Sequence, residues 1–269
     1  RVHLLLDPGS FEEIGALDST SLLELTTLPE SLIFIGAGYI GAELAQMMSR
    51  MGVKVTLVTR SHLLPGAEPD VSGALTDAFA AEGITLLTGL RYQNVRRDAS
   101  GVTLRVMQGG EPVEVTADHL VSTAGRRANT EDMGLDAIGV ETNVRGSIII
   151  GDDMQTSVPG IYAAGDVTDR DQFVYMAAYG AKLAVKNAVL GEDQRYDNSA
   201  MPWVVFSDPQ IAGVGLSEQQ ARDAGFDVKT SVVPLDQVPR ALAARDTRGL
   251  IKLVADRATD KLLGGQIIA

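Results

Sequence analysis

Three glycines at fixed spacing form the clearest chemical signature in this chain. The run Gly36–Gly41 reads Gly-Ala-Gly-Tyr-Ile-Gly and follows the apolar run Leu32–Ile35. The first glycine permits a tight turn, the second lets the backbone approach a pyrophosphate, and the third lets a helix pack on the strand. The phosphates would face the first amides of that helix. We therefore predict a dinucleotide-binding loop, the alternative being a purely structural turn, with contacts from Gly36, Gly38, Tyr39, Ile40 and Gly41.

The residues after the next predicted strand indicate which dinucleotide is bound. Sites for NAD place Asp or Glu at this point to hold the ribose hydroxyls. This chain has Thr59, Arg60, Ser61 and His62 there, with no carboxylate. Because a guanidinium matches a 2′-phosphate, we predict NADP(H) with Arg60 as the phosphate ligand. The alternative is that Arg60 is a solvated loop charge.

A second motif, Thr156–Asp166, reads Thr-Ser-Val-Pro-Gly-Ile-Tyr-Ala-Ala-Gly-Asp. The run Ile161–Ala164 predicts a short buried strand, after which Asp166 emerges beside a following helix. A carboxylate there can accept hydrogen bonds from ligand hydroxyls, and the helix start can offer amides. This is the pattern expected at the ribityl end of a flavin site. The alternative role for Asp166 is a helix cap or turn residue.

The elements around the first loop alternate between strand and helix. Apolar runs predict strands, and helical spacing closed by Gly52 or Gly83 predicts helices. This βαβαβ order is the mononucleotide-binding half-fold. Its predicted elements are Leu32–Ile35, Gly41–Met51, Val53–Val58, Asp70–Glu82 and Ile84–Leu87.

Further elements follow less regular signals. Residues 4–13 predict a turn and an acidic helix start, and Thr20–Leu28 predicts a short helix and linker. A β-hairpin is predicted around Gly109 and Gly110. The other predicted elements are the hairpin strands Val102–Met107 and Pro112–Val115, the strands His119–Thr123 and Ser147–Ile150, and the helices Phe173–Val189 and Ser217–Ala224.

Composition excludes several classes of function. The net charge of −12 argues against nucleic-acid binding, which needs clustered Lys and Arg. No apolar run approaches the roughly 20 residues that span a bilayer, and no signal peptide is recognisable, so we expect a cytoplasmic protein. The chain has no cysteine and three scattered histidines, so we expect neither a dithiol nor a metal site.

Taken together, four motifs in order resemble the flavoprotein disulfide reductases, which include glutathione reductase, dihydrolipoyl dehydrogenase and mercuric reductase. The similarity runs from about Thr20 to Ala269. The runs Asp171–Tyr175, Val238–Ala243 and Asp246–Val254 look most like the mercuric reductase branch. The four motifs are Gly36–Gly41, Ser122–Asn129, Thr156–Asp166 and Phe206–Glu218.

The resemblance implies an α/β fold in which a Rossmann-like NAD(P)-binding domain is inserted in a partial FAD-binding domain and followed by a partial α+β dimerisation domain. The bounds we predict are 1–18 for an unassigned segment, 19–128 for the NAD(P) domain, 129–196 for the flavin part and 197–269 for the dimerisation part. It also implies a homodimer for the complete enzyme.

The resemblance also implies roles for single residues. Tyr39 matches the tyrosine that gates the nicotinamide pocket, the alternative being ordinary packing. Glu43 matches a glutamate that pairs with a lysine beside the flavin. The remaining matches are Asp166 to the ribityl chain, the backbone of Phe173 and Val174 to the isoalloxazine edge, and Gly125 and Arg126 to the nicotinamide dinucleotide.

The chain also departs from the family pattern. The family's own N-terminal flavin loop and its Cys-x4-Cys pair are not found in this sequence. Since a thiolate is the nucleophile of the disulfide step, we expect the chain to be incomplete and inactive alone. The parent reaction would be NADPH-dependent reduction of Hg(II) through FAD. The alternatives are a dihydrolipoyl dehydrogenase-like fragment, a non-enzymatic NADP(H)-binding module and a self-sufficient dehydrogenase.

Residues 1–17 are predicted to lie outside the family. The run Leu5–Leu17 resembles the opening of acyl-CoA carboxyltransferase subunits, but no carboxyltransferase core follows. A join near Ala16–Ser19 would account for both observations.

Overall fold

A computed structural model describes residues 2, 3 and 8–269, with side chains from residue 11 onward. The chain divides into two compact units. The first combines the N-terminal part of the chain through Ala124 with Met201–Ala269, and the second is Gly125–Ala200. Of the turn and helix start predicted at residues 4–13, residues 4–7 lie outside the described residues, and Pro8–Glu13 is helical.

The first unit is rich in strands, and the second contains one long helix. The helices are α1 (Pro8–Glu13), α2 (Ser19–Leu23), α3 (Tyr39–Arg50), α4 (Pro69–Ala81), α5 (Val174–Leu190), α6 (Glu218–Asp223) and α7 (Pro239–Ala244). The strands are β1 (Val2–His3), β2 (Ser31–Ile35), β3 (Lys54–Val58), β4 (Thr85–Leu87), β5 (Leu90–Asp98), β6 (Gly101–Gln108), β7 (Glu111–Ala117), β8 (His119–Ser122), β9 (Pro202–Val205), β10 (Ile211–Gly215), β11 (Val228–Pro234), β12 (Leu250–Asp256) and β13 (Leu262–Ile268).

A four-stranded parallel sheet in the order β4-β3-β2-β8 carries the predicted βαβαβ unit. Strand β2 is buried from Leu32 to Ile35, as expected when both faces of a parallel sheet are covered. Helices α3 and α4 connect its strands, and Gly52 and Gly83 follow their C-terminal ends with positive φ angles. The βαβαβ prediction and the α/β fold class are confirmed.

A second, antiparallel sheet in the order β1-β5-β6-β7 lies next to the βαβαβ unit. The predicted hairpin is β6–β7, which turns at Gly109 and Gly110 with φ of 61° and 93°. Strand β5 was not predicted, because charged residues interrupt its alternation. Its Val95 is nevertheless fully buried in a core that also holds Ile14 of the N-terminal segment.

The second unit holds fewer strands than predicted. The buried strand expected at Ile161–Ala164 is wrong: Tyr162 forms a single bridge to Gln155, and all four residues are half-buried. The strand expected at Ser147–Ile150 is likewise reduced to isolated bridges. Asp166 begins a short 3₁₀ turn rather than emerging beside an α-helix. These segments instead pack against α5, where Met154, Leu183 and Ala184 are buried together.

The C-terminal part of the first unit is a five-stranded antiparallel sheet in the order β11-β12-β13-β10-β9. The predicted helix Ser217–Ala224 corresponds to α6, which lies between β10 and β11 and begins at Glu218, with Ser217 as its N-cap and Gln220 completing a capping box. Strands β9 and β10 lie at one edge, and the segment between them meets helix α3.

Candidate functional site

Two of the three motif glycines are fixed by close packing of the backbone. Gly36 has φ of 100°, and a Cβ added there would lie 2.8 Å from the carbonyl carbon and oxygen of Thr123. A Cβ on Gly41 would collide with the carbonyl oxygen of Gly36. The Thr123 hydroxyl secures the turn by donating to the oxygens of Ile35 and Gly36 at 3.0 and 2.8 Å. These positions require glycine for the fold itself.

The middle glycine differs because it faces open space. A Cβ on Gly38 would meet no protein atom within 4 Å, and its φ of −80° is open to any residue. Gly38 is the N-cap of α3 and provides no side-chain hydrogen bond to the helix. An uncapped helix start with room above it suits a pyrophosphate. The residues of this loop therefore fit a bound dinucleotide.

Arg60 lies where β3 ends on the same edge of the sheet. It is exposed, and among the side chains described, residues 11–269, it forms no ion pair. The adjoining Thr59 is buried and donates its N–H to Leu87. Beneath it, the Tyr92 hydroxyl donates to the Val58 carbonyl at 3.2 Å. Burial raises the pKa of Tyr92 to about 12 despite the nearby Arg60 charge, so Tyr92 stays a neutral donor. A free guanidinium is thus available at the predicted 2′-phosphate position.

One face of helix α3 contacts strand β9 and the segment that follows it. The Tyr39 ring lies 5.8 Å from the Trp203 ring, and Glu43 accepts the Phe206 N–H at 2.8 Å. Further along, the Gln46 side chain accepts the Asp208 N–H and donates to the Asp208 carbonyl, at 2.8 and 2.7 Å. Positions spaced by three and four residues share a helix face. The nucleotide loop is therefore anchored along its helix to the C-terminal sheet.

Charged groups complete this contact at the far end of the helix. Arg50 binds both Glu82 and Asp208, and Arg248 also binds Asp208. The hydrogen bond from Arg50 is the main cause that lowers the pKa of Glu82 and of Asp208. The sequence analysis missed Gln46 and Asp208. One signal in the sequence could have indicated Gln46: it is a glutamine at a core-facing position of the amphipathic helix α3.

A buried lysine makes a second contact between the nucleotide domain and the C-terminal sheet. Lys252 on β12 contacts Glu68 at 2.9 Å, Asp70 at 3.3 Å and Glu218 at 3.0 Å. Its side chain is 6% exposed and that of Glu68 only 3%. Burial lowers the pKa of Lys252, but the bonds from Glu68 and Glu218 outweigh it, so the net shift is upward. We call these four residues the Lys252 cluster.

The Lys252 cluster is linked to the nucleotide loop by residues 63–68. The Glu68 N–H donates to Gln266 at 2.7 Å, and the Leu64 N–H donates to the Ala37 carbonyl at 2.7 Å. The sequence analysis missed this cluster, although Lys252 is an inward-facing residue of a mostly apolar strand. Such a lysine needs buried carboxylates to stay charged.

In the second unit, the predicted cofactor residues Arg126 and Asp166 lie together. Arg126 Nε is 3.6 Å from Asp166 Oδ2, and both side chains are about half exposed, at 52% and 44%. A pair this exposed contributes little to stability, so either group can rebind to a ligand. Gly165 precedes Asp166 with φ of 81°, and a Cβ there would lie 3.0 Å from Ala177 Cβ on α5. The roles predicted for Gly125, Arg126 and Asp166 stay predictions.

Helix α5 begins just after this loop. Its N-cap is Phe173, which provides no side-chain cap, and the Phe173 ring stacks on Tyr175 at 5.3 Å. The segment just before this helix is held by Tyr196, whose hydroxyl donates to the Asp171 carboxylate at 3.0 Å. The predicted contacts of Phe173 and Val174 with a flavin stay predictions.

In the described part of the chain, no group of three or more His, Asp or Glu could hold a metal ion. None of the helices described has the length and apolar character needed to span a membrane.

Family comparison decides what this architecture is. A model described as pyridine nucleotide-disulphide oxidoreductase matches residues 5–184, and the model of that family's dimerisation domain matches residues 201–269. The chain belongs to the pyridine nucleotide-disulphide oxidoreductase family. The members of this family and the relatives described below are flavin-dependent pyridine nucleotide oxidoreductases. This chain covers only part of the length of those relatives.

Individual relatives agree with the predicted branch. The chain is 46% identical to the mercuric reductase of Bacillus cereus, over 97% of this chain and 42% of that protein. It is 42% identical to the mercuric reductase of Streptomyces lividans, over 99% of this chain and 58% of that protein. The chain thus spans about half the length of the curated relatives it matches.

Among solved structures, the HOCl-induced flavoprotein disulfide reductase RclA from Escherichia coli is similar, with a TM-score of 0.84 and 30% identity. The similarity covers 95% of this chain and 58% of that one. LpdA from Mycobacterium tuberculosis is also similar, with a TM-score of 0.82 and 29% identity over 94% of this chain and 55% of that one.

One expectation about the N-terminus is wrong. Residues 1–17 were expected to lie outside the family, but the family match begins at residue 5. The structure agrees for the described part: Ile14 lies in the core, and Leu17 pairs with the edge strand β8 through Leu120 and Ser122. A segment this short has too little residue pattern to be assigned to a family from its residues alone.

Proposed function

We propose that this chain is the NADP(H)-binding part, with part of the flavin-binding region, of a mercuric reductase-like enzyme. The complete enzyme would use NADPH and FAD to reduce Hg(II). The observation that carries the nucleotide half of this proposal is the open face above Gly38 at the uncapped start of α3, with the exposed Arg60 at the end of β3. Similarity to mercuric reductases supports the substrate half.

Each residue of the nucleotide site then has a defined task. The amides at the start of α3, including those of Ile40 and Gly41, would bind the pyrophosphate, since the helix dipole favours an anion there. Arg60 would bind the 2′-phosphate, and Tyr39 would cover the nicotinamide end. Bound NADPH supplies a hydride for reduction. The chain's own residues orient the nucleotide and shield it from water.

The flavin-binding part is proposed on more limited grounds. Asp166 has a carboxylate that is 44% exposed and can accept hydrogen bonds from hydroxyl groups. Phe173 is the N-cap of the long helix α5 and provides no side-chain cap, so the backbone amide of Val174 can face a ring carbonyl. Glu43 is proposed to act on the flavin side as well, while its Oε1 accepts the Phe206 N–H.

Replacement of Arg60 by alanine tests the choice of nucleotide. The variant should bind NADPH about 10- to 100-fold more weakly, since a charge-assisted hydrogen bond is lost. NADH affinity should change by less than about 2-fold, because NADH has no phosphate at this position. Both affinities can be measured by calorimetric titration. Arg240→Ala removes an exposed arginine on α7 and is the matched control for net charge. Equal losses for NADPH and NADH would contradict the assignment.

A chimera tests the proposed substrate. The matching segment of the Bacillus cereus mercuric reductase would be replaced by this chain, which is 46% identical over that region. We expect the chimera to retain Hg(II)-dependent oxidation of NADPH. A folded, flavin-loaded chimera that oxidises its nucleotide only with lipoamide-type disulfides would favour the dihydrolipoyl dehydrogenase alternative.

Three further features belong to the same proposal. We propose that 19–128, 129–196 and 197–269 are the NAD(P), flavin and dimerisation parts. The match at residues 201–269 supports the last of these, and the compact unit Gly125–Ala200 supports the second. The dimerisation model supports a homodimer of the complete protein. A cytoplasmic location and a role in mercury resistance follow from the proposed reaction.

A further inference from the structure

The single tryptophan of the chain lies against the predicted nicotinamide gate. Trp203 is on β9 and is 9% exposed. Its ring centroid is 5.8 Å from that of Tyr39, and the two planes are tilted by 57°. Tilted aromatic pairs at this separation attract each other beyond the area they bury. Trp203 therefore restrains the ring of the first residue of helix α3.

A glycine on the neighbouring strand makes this placement of the indole possible. Gly213 on β10 is the direct cross-strand partner of Trp203. A Cβ on Gly213 would lie 2.5 Å from Cε2 and 2.9 Å from Nε1 of the indole. The indole thus lies across the bare backbone of Gly213, where any larger residue would push it away.

The strand that carries Trp203 is itself fixed to helix α3. The Phe206 N–H donates to Glu43, and the Asp208 N–H donates to Gln46, so the segment after β9 follows the helix. The Tyr39 hydroxyl also lies 3.9 Å from the position of a Cβ on Gly66, in the loop after β3. Tyr39 is therefore close both to this loop and to the indole.

We propose that Trp203, seated on Gly213, is a positioning residue for the nicotinamide end of the nucleotide site. The contact limits the positions open to the Tyr39 ring before the nicotinamide binds, so that less side-chain freedom is lost on binding. This inference rests on the proposed NADP(H) function. It assigns a nucleotide-binding task to a residue of the C-terminal sheet.

The test compares two probes that differ only in the nicotinamide. NADPH and 2′-phospho-ADP-ribose would each be titrated against the full chain. Trp203→Ala should weaken NADPH binding by about 2- to 10-fold, the strength of one aromatic pair. Affinity for 2′-phospho-ADP-ribose should change by less than about 2-fold, because the adenosine and phosphate contacts are elsewhere. Equal losses for both probes, or no loss for either, would overturn the proposal.

A second variant keeps the proposal testable if Trp203→Ala does not fold. Gly213→Ala retains the tryptophan but displaces the indole, so it should also weaken NADPH selectively. Phe226→Ala removes a 41% exposed aromatic ring from the same unit and should leave both affinities unchanged. Unaltered NADPH affinity in a folded Gly213→Ala variant would count against the proposal.

A double-variant cycle identifies the partner of Trp203. Tyr39→Ala and Trp203→Ala should each weaken NADPH binding, and the double variant should lose no more than about one of them, because the two act as a pair. Additive losses would overturn the positioning role. Failure of the unaltered chain to bind either probe would overturn the proposed function and this inference with it, whereas normal binding with additive losses overturns the inference alone.

Discussion

Replacement of Gly38 by valine should reduce NADPH affinity by roughly 100-fold or more and leave the fold intact, since this glycine is where the backbone must approach the pyrophosphate. An added side chain at Gly38 meets no protein atom within 4 Å, and its φ of −80° suits other residues. Loss of a good N-cap residue should cost no more than about 1 kcal/mol of unfolding free energy. Calorimetric titration measures the binding, and denaturant unfolding measures the stability.

The neighbouring glycines provide the matched controls for this experiment. Gly36→Ala and Gly41→Ala place a Cβ against backbone atoms of Thr123 and Gly36, so both should lose stability before binding can be measured. The three variants together separate a glycine needed for the ligand from glycines needed for the turn. A Gly38→Val protein that binds NADPH with unaltered affinity would show that the loop is only structural.

Replacement of Lys252 by methionine should lower the free energy of unfolding by about 3–5 kcal/mol, since removing one partner leaves a buried charge uncompensated. Methionine keeps the volume of the side chain but removes the cation. Glu68, whose side chain is only 3% exposed, would then be buried without its 2.9 Å ion pair. Urea unfolding of the chain gives the change in midpoint and in free energy.

The adjoining strand offers a matched control for this variant. Lys229 on β11 pairs with Asp260 at the surface, where both side chains are exposed. Lys229→Met should change stability by no more than about 1 kcal/mol, as is usual for surface pairs. If Lys252→Met and Lys229→Met unfold at the same urea concentration, the Lys252 cluster is not what joins the nucleotide domain to the C-terminal sheet.

Local signals in the sequence predicted the nucleotide half of the fold well. Strand β2 is a run of buried apolar residues, α3 ends just before Gly52, and the glycine loop lies between them. Each of these depends on neighbours in sequence: burial on both faces of a strand, helical spacing and left-handed glycine caps. The predicted bounds therefore differ from the observed ones by only one or two residues.

Features that depend on distant partners were missed or wrong. Ile161–Ala164 is apolar enough for a strand, but its neighbours provide only isolated bridges, so no ladder forms. Lys252 finds Glu68 at a sequence separation of 184 residues, and nothing near either residue indicates the other. The contact of Trp203 with Tyr39 likewise exists only because β9 folds back along helix α3.

The residues of the candidate site also divide into those that local sequence predicts and those that depend on distant partners. Gly36, Gly38 and Gly41 could be assigned separate tasks from spacing alone. The close backbone packing at Gly36 and Gly41 fits glycines needed for the turn, and the pyrophosphate contact of Gly38 stays a prediction. The pairing of Arg126 with Asp166 could not be predicted, because the two residues come from different motifs. Side chains that only position others, such as Gln46, carry no motif of their own.

Calorimetric titration of the unaltered chain with NADPH, and in parallel with NADH, tests the central claim most directly. We expect one NADPH to bind per chain, and NADH to bind at least about 10-fold more weakly, because only NADPH can engage the Arg60 guanidinium. Absence of saturable NADPH binding, or NADH binding of equal strength, would contradict the account of this chain as the NADP(H)-binding part of a mercuric reductase-like enzyme.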